Sequence, residues 1–236
     1  MSSKLTELTA SANIELSEEN ILKLTRYKEL VLEWNQKFNL TAITDDEEFD
    51  IKHFYDCLLL LKLDEIKGAK KIIDIGTGAG FPGIPLAIMM PDTEFLLLDS
   101  LKKRIGFLEF VIEDLGLKKV RAIHARAEEL GRDPAYREKY DICVSRAVAS
   151  LDTLSEFCIP FVKPSGHFVS MKGSAGREEL KDAKNAIEIL GGKPEDIIEY
   201  ELVEGDHKRF LISIKKIKST SKKYPRAGGK PKSKPL

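Results

Sequence analysis

The segment Ile72-Ile73-Asp74-Ile75-Gly76-Thr77-Gly78-Ala79-Gly80-Phe81-Pro82-Gly83 joins a strand-length apolar run to a glycine-rich turn and a helix start. Such a turn lets a ligand approach the backbone and aims helix N-terminal amides at it. Gly78, Gly80 and Gly83 fit the GxGxxG dinucleotide fingerprint, with Asp99 downstream as the ribose acid. Asp74 argues for another occupant. A carboxylate at the strand end repels a pyrophosphate, whereas S-adenosylmethionine carries an ammonium and a sulfonium and no phosphate. Pro82 and Pro85 also remove two amide donors that a diphosphate cradle would use. The plain alternative is a tight turn that binds nothing.

Further polar groups fall at the same sheet edge. Asp99, ending a second apolar run, is placed to accept both hydroxyls of a ribose, or else to cap the next helix. Arg126-Ala127-Glu128-Glu129 offers a small residue and polar groups suited to an adenine, although both acids also suit the first turn of a helix. Ser145-Arg146-Ala147 brings a guanidinium that could hold a carboxylate or phosphate, or form a surface ion pair.

The elements that must position these groups follow from periodicity. Apolar residues at helical spacing predict a helix over 18–38 capped by Ser17, and a second helical patch over 48–63. Strand-length runs at 71–75, 94–98, 120–124, 140–144 and 167–171 alternate with helix-like segments at 84–90, 101–115, 151–162 and 178–190. Repeated βα units imply a parallel sheet with helices on both faces. Runs at 197–203 and 209–217, separated by Glu204-Gly205-Asp206, predict a closing hairpin and an antiparallel last strand. The expected organisation is an N-terminal helical cap over residues 1–66, an α/β unit over 67–218 and a flexible basic tail over 219–236.

The 236 residues balance 38 bases against 38 acids, but unevenly. From Lys208 onward there are eleven Lys or Arg and no acid, leaving 27 bases against 38 acids before it. A basic end on an acidic body suggests a polyanion such as RNA, with Lys222, Lys223 and Arg226 among the contacts; the alternative is a solubilising tail. No apolar run is long enough to span a bilayer, and no secretory signal core precedes Asn20, so a soluble, cytoplasmic protein without membrane partners is expected. Cys57, Cys143 and Cys158 make no CxxC and the four histidines no HxxxH, so no metal site is expected. A monomer is the working expectation.

Taken in order, Asp74 to Gly83, Asp99, Ala127-Glu128 and Arg146 resemble a class I S-adenosylmethionine-dependent methyltransferase, with its Rossmann-like sheet. Trp34-Asn35-Gln36-Lys37-Phe38-Asn39-Leu40-Thr41, His53-Phe54-Tyr55-Asp56, Leu98-Asp99-Ser100-Leu101, Ser145-Arg146-Ala147, Lys172-Gly173 and Lys223-Tyr224-Pro225-Arg226 extend the similarity over most of the chain. Together they resemble one family, the bacterial 16S rRNA guanine-N7 methyltransferases called RsmG or GidB. The resemblance implies cofactor contacts at Gly76, Phe81, Ala127, Glu128 and Arg146. It also implies RNA or active-site roles for Asn39, Arg126, Lys172 and Arg209. The substrate it implies is a guanine in the 530 loop of small-subunit rRNA. A basic tail belongs to only part of the family.

Guanine N7 has a free lone pair, so its methylation needs no general base, metal or cysteine nucleophile, and catalysis reduces to placing two reactants in line. No catalytic side chain is singled out beyond the candidates Asn39, Arg126, Arg146 and Lys172. The competing readings are a methyltransferase acting on another RNA, a protein or a small molecule, a non-catalytic RNA-binding module, and an NAD-dependent dehydrogenase.

Overall fold

A computed structural model, describing residues 2–146 and 149–236, assembles the βα units into one seven-stranded sheet. Its strands are β1 (Lys71–Ile75), β2 (Glu94–Asp99), β3 (Val120–His124), β4 (Tyr140–Arg146), β5 (Val162–Lys172), β6 (Gly192–Tyr200) and β7 (Arg209–Lys216). They lie in the order β3-β2-β1-β4-β5-β7-β6. The pairs among β1 to β5 are parallel, and β7 runs antiparallel between β5 and β6, as the hairpin signal predicted. The chain builds outward from β1 in one direction and from β4 in the other. That reversal opens a crevice beyond the C-terminal ends of β1 and β4, where open α/β sheets take their ligands.

Alternation along the strands divides the core between two faces. Ile72 and Leu97 pack with Leu24, Tyr27 and Phe107, while Ile73 and Leu96 pack with Leu154, Phe157 and Ile187. The N-terminal helices therefore share one core with the sheet. The Glu18–Phe38 helix begins with the expected cap: Ser17 Oγ accepts from Asn20 N at 3.1 Å, and Asn20 Oδ1 accepts from Ser17 N at 3.0 Å.

Four local differences have physical causes. A short helix, Ser3–Ser11, buries Leu5 and Thr9 in a stretch that reads only as polar. The patch at 48–63 is not one helix: α-helical, π-helical (Asp50–Tyr55) and 3-10 turns follow one another, with Asp50, His53 and Asp56 all buried. β6 lies earlier than its apolar run because it is an edge strand with a register shift beside Pro194, so its first half is polar. The helix expected over 178–190 breaks at Ala183 into Gly176–Asp182 and Lys184–Ile189.

The largest correction concerns residues 219–236, expected to be flexible. The tail is docked. Arg137 donates from Nη1 to Tyr224 O at 2.8 Å and from Nη2 to Thr220 O at 2.6 Å. Thr220, Pro225 and Pro231 are buried, and a final helical turn, Lys230–Ser233, ends near the crevice. Composition misled here because the attachment uses backbone carbonyls, prolines and one buried acid instead of an apolar stripe.

Candidate functional site

β1 runs into the glycine turn, and the turn is bonded back to β2: Gly76 N donates to Leu98 O at 2.8 Å and Gly78 N to Asp99 Oδ2 at 3.0 Å. Gly78 has φ +64° and faces open space, so a ligand can lie against its backbone. Gly80 differs. Its φ is +109°, and a Cβ there would sit 2.7 Å from both Ile84 Cγ1 and Tyr27 Oη, which makes it a packing position behind the turn.

Asp74 also lies behind the turn. Its Oδ2 accepts from Thr77 Oγ1 at 2.7 Å and from Gly83 N at 2.9 Å, while Oδ1 is buried with no partner. Burial pushes this carboxyl up to about 7, against the two hydrogen bonds that pull it down. The side chain thus staples the turn from within and does not line the crevice. The repulsion argument made from its sequence position does not operate through direct contact.

The crevice itself is a cavity of about 450 Å³ walled by Gly76, Gly78, Phe81, Asp99 and Arg146, with Leu40, His53 and Arg104. A smaller hollow of about 120 Å³ adjoins it, bounded by Ala125, Arg126, Ala127, Glu128 and Phe157. Gly76, Asp99, Ser100 and Lys232 border both. Asp99 stands between them with Oδ1 accepting from Leu101 N at 2.9 Å and Oδ2 facing Arg104 Nη1 at 3.2 Å. Glu128 is buried, with Oε1 3.6 Å from the exposed Arg126.

Arg146 closes the cavity at the end of β4. Its guanidinium lies 4.9 Å over the Phe81 ring and donates to Lys52 O at 3.1 Å, Asp56 Oδ2 at 3.2 Å and His53 Nδ1 at 3.1 Å. The His53 ring stacks on Phe81 at 4.4 Å and donates from Nε2 to Thr41 Oγ1 at 2.8 Å. Burial, then the charges of Arg146 and Arg209, lower His53 to about 3, so it stays neutral with both ring nitrogens engaged. Asp56 also accepts from Tyr200 Oη at 2.8 Å and lies 3.6 Å from Arg209 Nη1.

The other sequence candidates lie elsewhere. Asn39 is exposed, a left-handed C-cap of the Glu18–Phe38 helix, adjacent to the cavity residue Leu40. Lys172 is buried on Glu179 Oε2 at 2.7 Å, and the same oxygen accepts from Leu151 N at 2.8 Å. Both anchor the segment that follows β4, not a free surface. Arg209 belongs to the Asp56 network. Arg226 pairs through Nε and Nη2 with the buried Glu156. Lys222 and Lys223 are exposed. Ala147 lies outside the described residues. Sequence reasoning assigned no role to Leu40, His53, Asp56, Arg104, Tyr200 or Lys232. Leu40, His53 and Asp56 stood within quoted motifs; Lys232 carried no signal beyond charge.

These surroundings fit an adenosyl ligand. Gly78 leaves a cradle that a Cβ would enter, and Asp99 has a carboxylate at the boundary of two adjoining hollows. Among the described residues no cluster of His, Cys, Asp or Glu suits a metal ion.

The family described as rRNA small subunit methyltransferase G matches residues 20–218. The chain is 52% identical over 226 residues to ribosomal RNA small subunit methyltransferase G of Clostridium novyi, covering 96% of this chain and 93% of that one. It is 53% identical over 232 residues to the protein of the same name from Acetivibrio thermocellus, covering 98% and 95%. An O-methyltransferase from Bacillus cereus, solved with SAH, shares the fold at TM-score 0.61 and 16% identity, covering 89% of this chain and 96% of that one. The chain belongs to the rRNA small subunit methyltransferase G family.

Proposed function

We propose that this member of the family transfers the methyl group of S-adenosylmethionine to N7 of a guanine in the 530 loop of 16S rRNA. The observation that carries the reading is the pair of adjoining hollows beyond β1 and β4, with Asp99 lining both and Arg146 fixed at the wall of the larger. S-adenosylmethionine supplies an electrophilic methyl on a sulfonium. Asp99 receives the ribose hydroxyls, Ala127 and Glu128 flank the adenine, and Gly76 and Gly78 let the ligand lie against the backbone. Phe81 and Arg146 form a rigid wall against which the guanine is positioned. Arg146 is held by three acceptors and a ring face, so little reorganisation is needed when the reactants meet.

Among the described residues no helix is long and apolar enough to cross a membrane, and the proposed substrate places the reaction in the cytoplasm. Exposed Lys222, Lys223 and Arg126 are the RNA contacts of this proposal. The test is to map N7-methylguanine in small-subunit rRNA from cells with and without the gene. Loss of one 530-loop modification supports the assignment, and an unchanged map refutes it.

A further inference from the structure

Four anchors bring the C-terminal segment across the molecule to the adenosyl side of the cavity. Thr220 Oγ1 donates to Leu190 O at 2.6 Å, Arg137 holds the carbonyls of Thr220 and Tyr224, and Pro225 packs against Gly131. Arg226 then grips Glu156 with its backbone N–H and guanidinium together, at 2.6 Å from N and 2.7 Å from Nη2. Beyond this grip, Gly228 and Gly229 both adopt positive φ and turn the chain back, Pro231 is buried, and its carbonyl accepts from Thr153 Oγ1 at 3.2 Å. The result is that Gly229 and Lys232 border the same hollow as Ala127, Glu128 and Asp99.

We propose that residues 229–232 form the outer wall of the cofactor cleft, with Arg226 and Glu156 as positioning residues that hold this wall in place. The inference rests on the adenosyl reading of the cleft and adds a part to it that lies beyond the family match, which ends at residue 218. A ligand in the small hollow is covered by the sheet edge on one side and by the tail on the other. Burial of most of a ligand's surface is what small-molecule sites achieve, and Gly229 and Lys232 add to the lining that the sheet edge and Phe157 supply.

Two measurements test it. Calorimetric titration with S-adenosylhomocysteine compares the full chain with one ending at Gly228, which keeps the Arg226–Glu156 grip and loses the wall together with the last four residues, of which Leu236 packs on the core. The truncated chain should bind about tenfold more weakly, a change of about 1.4 kcal/mol. In the intact chain, trypsin should cut the Lys232–Ser233 bond several-fold more slowly when S-adenosylhomocysteine is saturating. Equal affinities for the two chains, or a cleavage rate indifferent to the ligand, overturn the proposal. Failure of the full chain to bind S-adenosylhomocysteine removes the adenosyl reading itself, and the wall with it.

Discussion

Gly78→Ala and Gly80→Ala, two positions apart in one turn, should fail in different ways. At Gly80 the new Cβ meets Ile84 Cγ1 and Tyr27 Oη at 2.7 Å and Leu108 Cδ2 at 3.0 Å. Tyr27 cannot swing aside cheaply, because its hydroxyl donates to Ala79 O at 2.6 Å in a fully buried site. Overpacking costs about 1–3 kcal/mol, and an L residue held at φ +109° adds about 1–3 kcal/mol. At about 2–4 °C per kcal/mol for a chain of this size, Tm should fall by roughly 4–24 °C. At Gly78 the nearest atom to the Cβ is Gly76 O at 4.0 Å, so only the backbone term applies, about 1–2 kcal/mol. There the methyl enters the cavity, and S-adenosylhomocysteine affinity should drop about tenfold or more while Gly80→Ala, measured cold, keeps it within about threefold. Scanning calorimetry with and without ligand reads both quantities. Parental Tm in Gly80→Ala, or parental affinity in Gly78→Ala, would refute the division of labour.

Asp74 is raised from 3.8 to about 7 by burial, so the folded chain holds a proton there that the unfolded chain has released. The group therefore disfavours folding increasingly as pH rises from about 4 to about 7. Asp74→Asn should flatten that part of the stability profile in urea unfolding, and an unchanged slope would contradict the assignment. Arg226→Ala strands the buried Glu156 carboxylate and should cost about 3 kcal/mol, near the low end for a broken buried pair because Arg226 is itself partly exposed. Glu156→Gln should cost less, and equal Tm values in the two variants would deny the pair this role. Lys222→Gln with Lys223→Gln should lower the slope of log RNA affinity against log salt by about 1.4–1.8 if both touch phosphate. No change in slope would exclude these two lysines as contacts.

The sheet was legible because its signals are local. Strand-length apolar runs, Gly116 and Gly191 in left-handed conformations at helix ends, and the hairpin before Arg209 each appear within a few residues of the structure they cause. The same holds for Asp99, which sits at a strand end wherever the strand lies. Asp74 shows the limit of such reasoning. Its sequence position put a carboxylate beside the ligand, whereas Thr77 and Gly83 turn it inward, and that choice depends on what fills the space behind the turn. Lys172, Arg209 and Arg226 each read as available cations, but their partners Glu179, Asp56 and Glu156 are supplied by distant segments. The docked tail escaped notice for the same reason, since Arg137 binds its carbonyls and no side-chain pattern records that.

The protonation state of the cavity bears on which acceptor it can serve. His53 is neutral, but its Nδ1 accepts from Arg146 and its Nε2 donates to Thr41, so it has no lone pair to offer a substrate. Asp56 is committed to Arg146 and Tyr200, and Asp99, which accepts from Gly78 N, Leu101 N and Arg104, keeps its remaining acceptor capacity for the ribose of the proposed cofactor. Glu128 lies in the adjoining hollow beside Arg126. A hydroxyl acceptor, which must lose its proton as it attacks, would find its surrounding bases occupied. A ring nitrogen with an exposed lone pair needs none of them, only a fixed wall and an in-line approach. The engaged state of His53, Asp56 and Asp99 therefore favours an acceptor of the N7 type over one that requires general-base catalysis.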